Sequence, residues 1–252
     1  MSDLLLRVAR IDAEAKDVVR VHLADPSGGL LPAFEPGAHL AVQLPEGLVR
    51  HYSLSNDWRE RHRYVLGVGR ALDGRGGSAF IHGGLCEGTD LQCSRPVNNF
   101  RLEPDASDYL FIAGGTGITP LLAMVRWCVV HRKPWRLVYG ARSRQRLAFY
   151  EELAAYGDRV RFHCDDEAGA PIQLAHLLAD ARPGTEVYCC GPSALMAAVQ
   201  VMGRHLPADA LHFESFTAPA AQSVSPTPAA MRNGPAGKWG SLLRTIGYSA
   251  VG

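Results

Sequence analysis

Near residue 105 the hydrophobic period of the chain changes, and this change restricts the fold more than any single motif does. Before it, short alternating runs are separated by turn residues: Val19, Val21 and Leu23 on one face, then Leu40, Val42 and Leu44, then a run over 64–68. Side chains alternate across a strand, so a period of two describes antiparallel strands with one buried face. The clusters Asp25-Pro-Ser-Gly-Gly, Pro45-Glu-Gly and Asp73-Gly-Arg-Gly-Gly mark turns, and no amphipathic helix is evident before residue 78. An antiparallel β-barrel is therefore expected over residues 1–104. Beyond it, nearly continuous apolar runs alternate with helix-length segments, as a parallel sheet covered on both faces requires. Strands are expected over 109–113, 136–139, 159–163, 186–190 and 210–213, with helices near 120–132, 145–156, 173–180 and 193–205. Residues 105–218 thus read as a doubly wound parallel α/β domain.

The segment 219–252 contains four prolines, many small residues and no acidic group, and reads as a disordered tail. Trp239, Leu242, Leu243 and Ile246 could form a short docking helix within it. A chain of 252 residues accommodates two ordinary domains. The formal net charge of +1 supplies no global field for nucleic acid or an anionic membrane. No apolar run approaches the roughly 20 residues of a membrane span, and charges follow the first leucines too soon for a signal peptide. A cytoplasmic protein is the expectation. Cys86, Cys93, Cys128, Cys164, Cys189 and Cys190 have neither metal-site spacing nor disulfide-scaffold density, so no metal centre is expected. Buried reduced thiols are expected for all but Cys190.

Five segments carry candidate chemistry. Arg50-His-Tyr-Ser53 places a cation, an aromatic ring and a hydroxyl at the end of an expected strand, with Arg50 and Tyr52 on one face. A flavin needs such parts: an aromatic face, a hydrogen-bonding group near its N5 edge, and an arginine for phosphate. An ordinary exposed strand fits the same tetrapeptide. Gly74-Arg-Gly-Gly-Ser78 is a glycine turn opening into a helix with Ser78 near its N-cap, a natural phosphate site, although glycine turns also join barrel strands. Gly114-Gly-Thr-Gly-Ile-Thr-Pro120 follows an apolar strand and precedes a helix, the order of a pyrophosphate cradle at a sheet edge. Pro120 suits the first helical position. Cys190, Gly191 and Pro192 end a buried strand facing the same cleft, where the thiol could contact a nicotinamide ring or simply pack in the core. His212-Phe-Glu-Ser-Phe216 closes the last strand; Phe216 could cover a flavin face and Glu214 could handle charge near N5.

In this order the segments resemble the ferredoxin-reductase superfamily, most closely its phthalate dioxygenase reductase and vanillate demethylase reductase branch, over residues 5–217. By that resemblance Arg50, His51, Tyr52 and Ser53 look like the flavin motif, and Gly76, Gly77 and Ser78 the flavin-phosphate loop. Ser94-Arg-Pro-Val-Asn-Asn-Phe100 looks like the exit from the barrel. Gly114, Gly115, Thr116, Gly117 and Thr119 look like the nicotinamide-nucleotide loop, and Cys190, Gly191 and Pro192 the nicotinamide contact. The branch implies FMN rather than FAD and NADH rather than NADPH. Hydride would pass to flavin N5, with Ser53, Cys190, Glu214 and Phe216 at the reacting edge. Single electrons would then go to a separate ferredoxin or oxygenase iron–sulfur protein. Arg142, Ser143 and Arg144, after the second strand, would suit a 2′-phosphate and leave coenzyme choice open. Branch members usually continue into a plant-type cluster domain with C-x₄-C-x₂-C spacing. No Cys follows Cys190, so an internal cluster is not expected. A separate acceptor protein, a shortened chain and a changed reading frame each fit. Two other functions stay open: a general flavin or ferric reductase, and a flavin- and nucleotide-binding electron-transfer subunit without turnover of its own.

Overall fold

The computed structural model describes residues 4–71 and 76–216. The expected tail and its short helix, together with Gly74 and Arg75, lie outside the described residues.

The first half is a six-stranded antiparallel sheet in the order β4-β3-β6-β1-β2-β5. Its strands are β1 (Leu4–Ala15), β2 (Val18–Ala24), β3 (His39–Gln43), β4 (Val49–Ser53), β5 (Tyr64–Gly69) and β6 (Asp90–Cys93). The sheet curls until its edge strands approach, but the ladder does not close. Between the two edges runs an isolated bridge, Leu54 to Leu66. Alternation makes the core: Val21, Leu23, Leu40, Val42, Leu44, Tyr64, Leu66 and Val68 are all buried in one cluster. The short helix α1 (Gly77–Gly83) inserts Ile81 into that cluster. The sequence pattern does not single out β1, because its apolar residues are interleaved with Arg7, Arg10, Asp12 and Glu14.

The second half is a five-stranded parallel sheet in the order β11-β10-β7-β8-β9. These are β7 (Asp108–Gly114), β8 (Trp135–Ala141), β9 (Val160–Cys164), β10 (Thr185–Cys190) and β11 (Leu211–Glu214). Helix α2 (Ile118–Val130) covers one face, while α5 (Leu174–Ala179) and α6 (Ser193–Met202) cover the other. Leu110, Ile112, Val187 and Cys189 point to the α5–α6 side, and Tyr109, Phe111, Tyr188 and Cys190 to the α2 side. Both faces are buried, which explains the continuous apolar runs. A four-residue helix, α4 (Asp165–Ala168), follows β9 directly.

Two expectations about helices are corrected. No helix covers 145–156: a 3₁₀ turn at Arg144–Arg146 is followed by the short α3 (Tyr150–Ala154). The intervening amides are drawn away from helical partners. Ala148 N–H donates to Tyr139 Oη at 3.0 Å, Phe149 N–H donates to the Glu14 carboxylate at 2.6 Å, and Phe149 sits at φ 58°. Helix α2 begins at Ile118, which puts Pro120 at its third position rather than its first. The missing N–H still falls among the amides that have no intrahelical partner.

The two sheets pack into one compact unit. Arg126 of α2 donates to the Ser55 carbonyl and pairs with Glu152 at 2.7 Å, and Arg146 pairs with Asp17 at 2.7 Å. The connecting segment after β6 is tied down by Tyr188, whose hydroxyl accepts from Glu103 N–H at 2.8 Å and donates to the Arg101 carbonyl at 3.2 Å. Among the described residues no helix is long and apolar enough to cross a membrane.

Candidate active site

The carboxyl ends of β7, β10 and β11 meet the end of β5 along one seam, and the contacts run in a chain across it. Leu54, next to Ser53, bridges Leu66 of β5. Beyond Leu66, Gly67 receives the Thr119 methyl and Gly69 receives the Thr116 methyl. A β-carbon on either glycine would lie 2.6 Å from that methyl. The loop between β7 and α2 is therefore keyed into the antiparallel sheet. Its Gly117 lies against the Cys190–Gly191 backbone, where a β-carbon would meet the Cys190 carbonyl oxygen at 2.1 Å. Cys190 in turn sits opposite Glu214 in the β10–β11 register. Ser53, Thr116, Thr119, Cys190 and Glu214 thus come from four separate stretches of sequence to one line.

The state of each group follows from its surroundings. Ser53 is 3 % exposed, and its Oγ has no hydrogen-bond partner. Glu214 Oε2 is likewise buried without a partner. Burial raises the Glu214 carboxyl to about 7, so it exchanges its proton near neutrality. Cys190 is fully buried, and burial, reinforced by the Glu214 charge, pushes its thiol far up, so it stays protonated. This favours a neutral contact over a nucleophile. Buried polar atoms are normally paired, so orphans at the ends of two different sheets suit a bound polar heterocycle. Tyr52 packs on the β-sheet core while keeping its hydroxyl, pushed up by burial to about 12, protonated.

The remaining expected residues are distributed as follows. The Arg50 side chain crosses directly over Gly77 at the start of α1, which brings the cation to the Gly76–Ser78 turn. Ser78 is not the helix cap: Gly76 holds that position, and the Ser78 hydroxyl accepts from Ala71 N–H at 3.1 Å, closing the loop. Thr119 is buried and donates to the Thr116 carbonyl at 2.9 Å. Gly115 and Thr116 are the parts of that turn still partly open to solvent. Gly114 packs on Pro192 and Gly191. Phe216 is 45 % exposed, and His51 is exposed with its ring 5.0 Å from that of His39. Cys86 is exposed while the other five cysteines are buried, so the expectation of buried thiols is corrected at Cys86.

A separate cleft of about 860 Å³ opens beyond the ends of β8 and β9. Ser143, Arg144, Tyr150, Asp166 and Glu167 line it, with Lys16 on the far wall. Arg144 is held there, donating to Tyr150 Oη at 2.7 Å with its guanidinium 4.5 Å from the ring centre. Arg142 is exposed and is not part of the lining. Sequence reasoning noticed the arginines but not Asp166 and Glu167, which reach the same cleft from α4, just after the next strand.

Residues 93–210 match the family described as dimethylamine monooxygenase subunit DmmA-like, N-terminal domain. The chain is 41% identical over 218 residues to phenoxybenzoate dioxygenase subunit beta of Ectopseudomonas oleovorans, covering 86% of this chain and 68% of that protein. It is 38% identical over 233 residues to phthalate dioxygenase reductase of Burkholderia cepacia, covering 91% of this chain and 72% of the relative. The chain belongs to the phthalate dioxygenase reductase family. The solved phthalate dioxygenase reductase, described as a modular structure for electron transfer from pyridine nucleotides to [2Fe-2S], superposes with a TM-score of 0.82 at 38% identity. That likeness covers 88% of this chain and 70% of the solved one. The family resemblance read from the five motifs is thereby established, as is the two-domain fold of an antiparallel flavin-type sheet and a parallel nucleotide-type sheet.

Proposed function

We propose that this chain is the flavin-dependent reductase component of an oxygenase system, oxidising a nicotinamide nucleotide and delivering electrons singly to a separate iron–sulfur protein. The observation that carries this reading is the seam itself: in a family of reductases, the buried and unpartnered Ser53 Oγ and Glu214 Oε2 stand at the ends of the two sheets that Thr116 and Thr119 lock together. When bound, a flavin supplies the capacity to take up two electrons together and release them one at a time. The chain supplies orientation and charge.

Arg50, lying over Gly77, holds a terminal phosphate at the Gly76–Ser78 turn. A single arginine beside one short turn suits the monophosphate of FMN better than the pyrophosphate of FAD. Ser53 presents its hydroxyl to the ring edge. The turn Gly115-Thr116-Gly117, partly open to solvent at Gly115 and Thr116 and set at the start of the 13-residue α2, binds the coenzyme pyrophosphate. The neutral Cys190 thiol contacts the nicotinamide, and Glu214 holds or releases a proton at Oε2 near neutral pH. Phe216, exposed after β11, is free to cover or uncover the ring. In the second cleft the Asp166 and Glu167 carboxylates suit ribose hydroxyls and oppose a 2′-phosphate, which favours NADH over NADPH although Arg144 stands nearby.

Stopped-flow absorbance of the flavin-loaded chain tests the reading. NADH should bleach the oxidised flavin band within a turnover, and a ferredoxin should restore it. A flavin-loaded chain that NADH fails to bleach would remove the enzyme reading. Turnover with ferric chelates but with no ferredoxin would replace it by a general ferric reductase.

A further inference from the structure

The hairpin between β1 and β2 belongs to the antiparallel sheet but is docked on the parallel one. Lys16 N–H donates to the Gln145 carbonyl at 2.7 Å, Asp17 pairs with Arg146 at 2.7 Å, and the Glu14 carboxylate accepts from Phe149 N–H at 2.6 Å. The Arg20 guanidinium, paired with Glu14, lies 5.0 Å from the centre of the Phe149 ring. The turn that follows β8 is thus held at three points, including Phe149 with its left-handed backbone. The cleft beyond β8 and β9 therefore has a wall that the parallel sheet does not supply: Glu14, Ala15, Lys16 and Arg20.

The same hairpin stands beside the Gly115–Gly117 turn. Val18 pairs with Gly69, Arg70 N–H donates to the Asp17 carbonyl at 2.7 Å, and Gly69 is the glycine that receives the Thr116 methyl. Along the carboxyl edge, Gly114 of β7 is level with Gly140 of β8, and Ala141 is level with Cys164 of β9. With neighbouring strands about 4.8 Å apart, these three strand ends cover roughly 10 Å. A coenzyme laid along that edge, pyrophosphate at Thr116 and ribose at Asp166 and Glu167, passes under the hairpin.

Such a ligand carries a charged diphosphate, and the two turns nearest it, 114–120 and 190–193, contain no Lys, Arg or His. The cations of the cleft differ in what already occupies them. Arg20 is held by Glu14, and Arg144 by Tyr150. Lys16 is exposed and, among the described residues, has neither an ion pair nor a side-chain hydrogen bond. Glu151 on α3 and Asp166 and Glu167 on α4 line the same cleft from the parallel sheet's side. We propose that Lys16 binds the diphosphate of the coenzyme's adenosine half, supplying from the antiparallel sheet the countercharge that the turns of the parallel sheet lack. The nucleotide site is then complete only where both sheets meet. The inference rests on the coenzyme reading of the Gly115–Gly117 turn and the second cleft.

Calorimetric titration of the whole chain with ADP and with adenosine tests it. Lys16→Gln should weaken ADP about tenfold, the loss of one charge-assisted contact. Lys16→Arg, which keeps the charge, should retain most of the affinity. Adenosine, which has no phosphate, should bind the native chain and Lys16→Gln alike. Added salt should weaken ADP more in the native chain than in Lys16→Gln. Arg182→Gln makes the same charge change on an exposed residue before the amino end of β10 and should leave ADP binding unaltered. Lys16 serves the fold through its backbone N–H, which every one of these variants keeps. Equal ADP affinity in the native chain and Lys16→Gln, or an equal loss for adenosine, would overturn the proposal and leave the coenzyme reading standing. ADP that binds neither protein would overturn that reading, and the proposal with it.

Discussion

Glu214 gives the sharpest quantitative expectation. Its carboxyl is buried at the end of β11 with Oε2 unpartnered, and burial raises it from an ordinary 4.5 to about 7. Between those values the native chain still holds a proton that the unfolded chain has released. Native stability therefore falls as pH rises from about 4.5 to about 7, and the deficit is complete above that. At 1.36 kcal/mol per pH unit the gap amounts to about 3 kcal/mol. Glu214→Gln keeps the shape and removes the charge, so in flavin-free protein it should gain almost nothing near pH 4 and about 3 kcal/mol near pH 8.5. For a domain of this size that is a rise of about 6–12 °C in Tm. Urea unfolding of both proteins at the two pH values measures the difference directly. A variant whose advantage is the same at both would show that Glu214 is not held near neutrality by burial.

Three further expectations concern the site. Arg50→Ala should weaken flavin retention by about 2–4 kcal/mol, read as release during dialysis or fluorescence titration; unchanged retention would remove Arg50 from the phosphate. Gly117→Ala drives a methyl into the Cys190 carbonyl and should cost about 3 kcal/mol in thermal unfolding, whereas Gly83→Ala, with nothing within 4 Å, should be nearly neutral. Replacing Asp166 and Glu167 together by Asn and Gln should move the kcat/KM ratio toward NADPH by about tenfold, roughly 1.4 kcal/mol of relieved repulsion. No change in that ratio would place the adenosine half of the coenzyme elsewhere.

The motifs that were legible in sequence are those in which local chemistry and local structure coincide. The glycine loop after β7 reads correctly because an apolar strand, a flexible turn and a helix start are all contiguous there. Arg50 to Ser53 reads correctly as the end of a strand for the same reason. What stayed hidden depends on contacts distant in sequence. Phe149 loses its helix to a carboxylate 135 residues away. Asp166 and Glu167 reach the Arg144 cleft only once β9 is laid beside β8. Ser78 resembles a cap by position, yet its hydroxyl serves Ala71 instead.

The two threonine methyls resting on bare strand glycines act as a gauge between the lobes. Because Gly67 and Gly69 have no side chain, the spacing across the seam is set by a single methyl thickness at each point. Any larger residue at either glycine would act as a shim, parting donor from acceptor while leaving both halves able to hold their own ligands. Such variants should separate loading from communication: a chain that still colours and still binds coenzyme, but in which the one no longer discharges into the other.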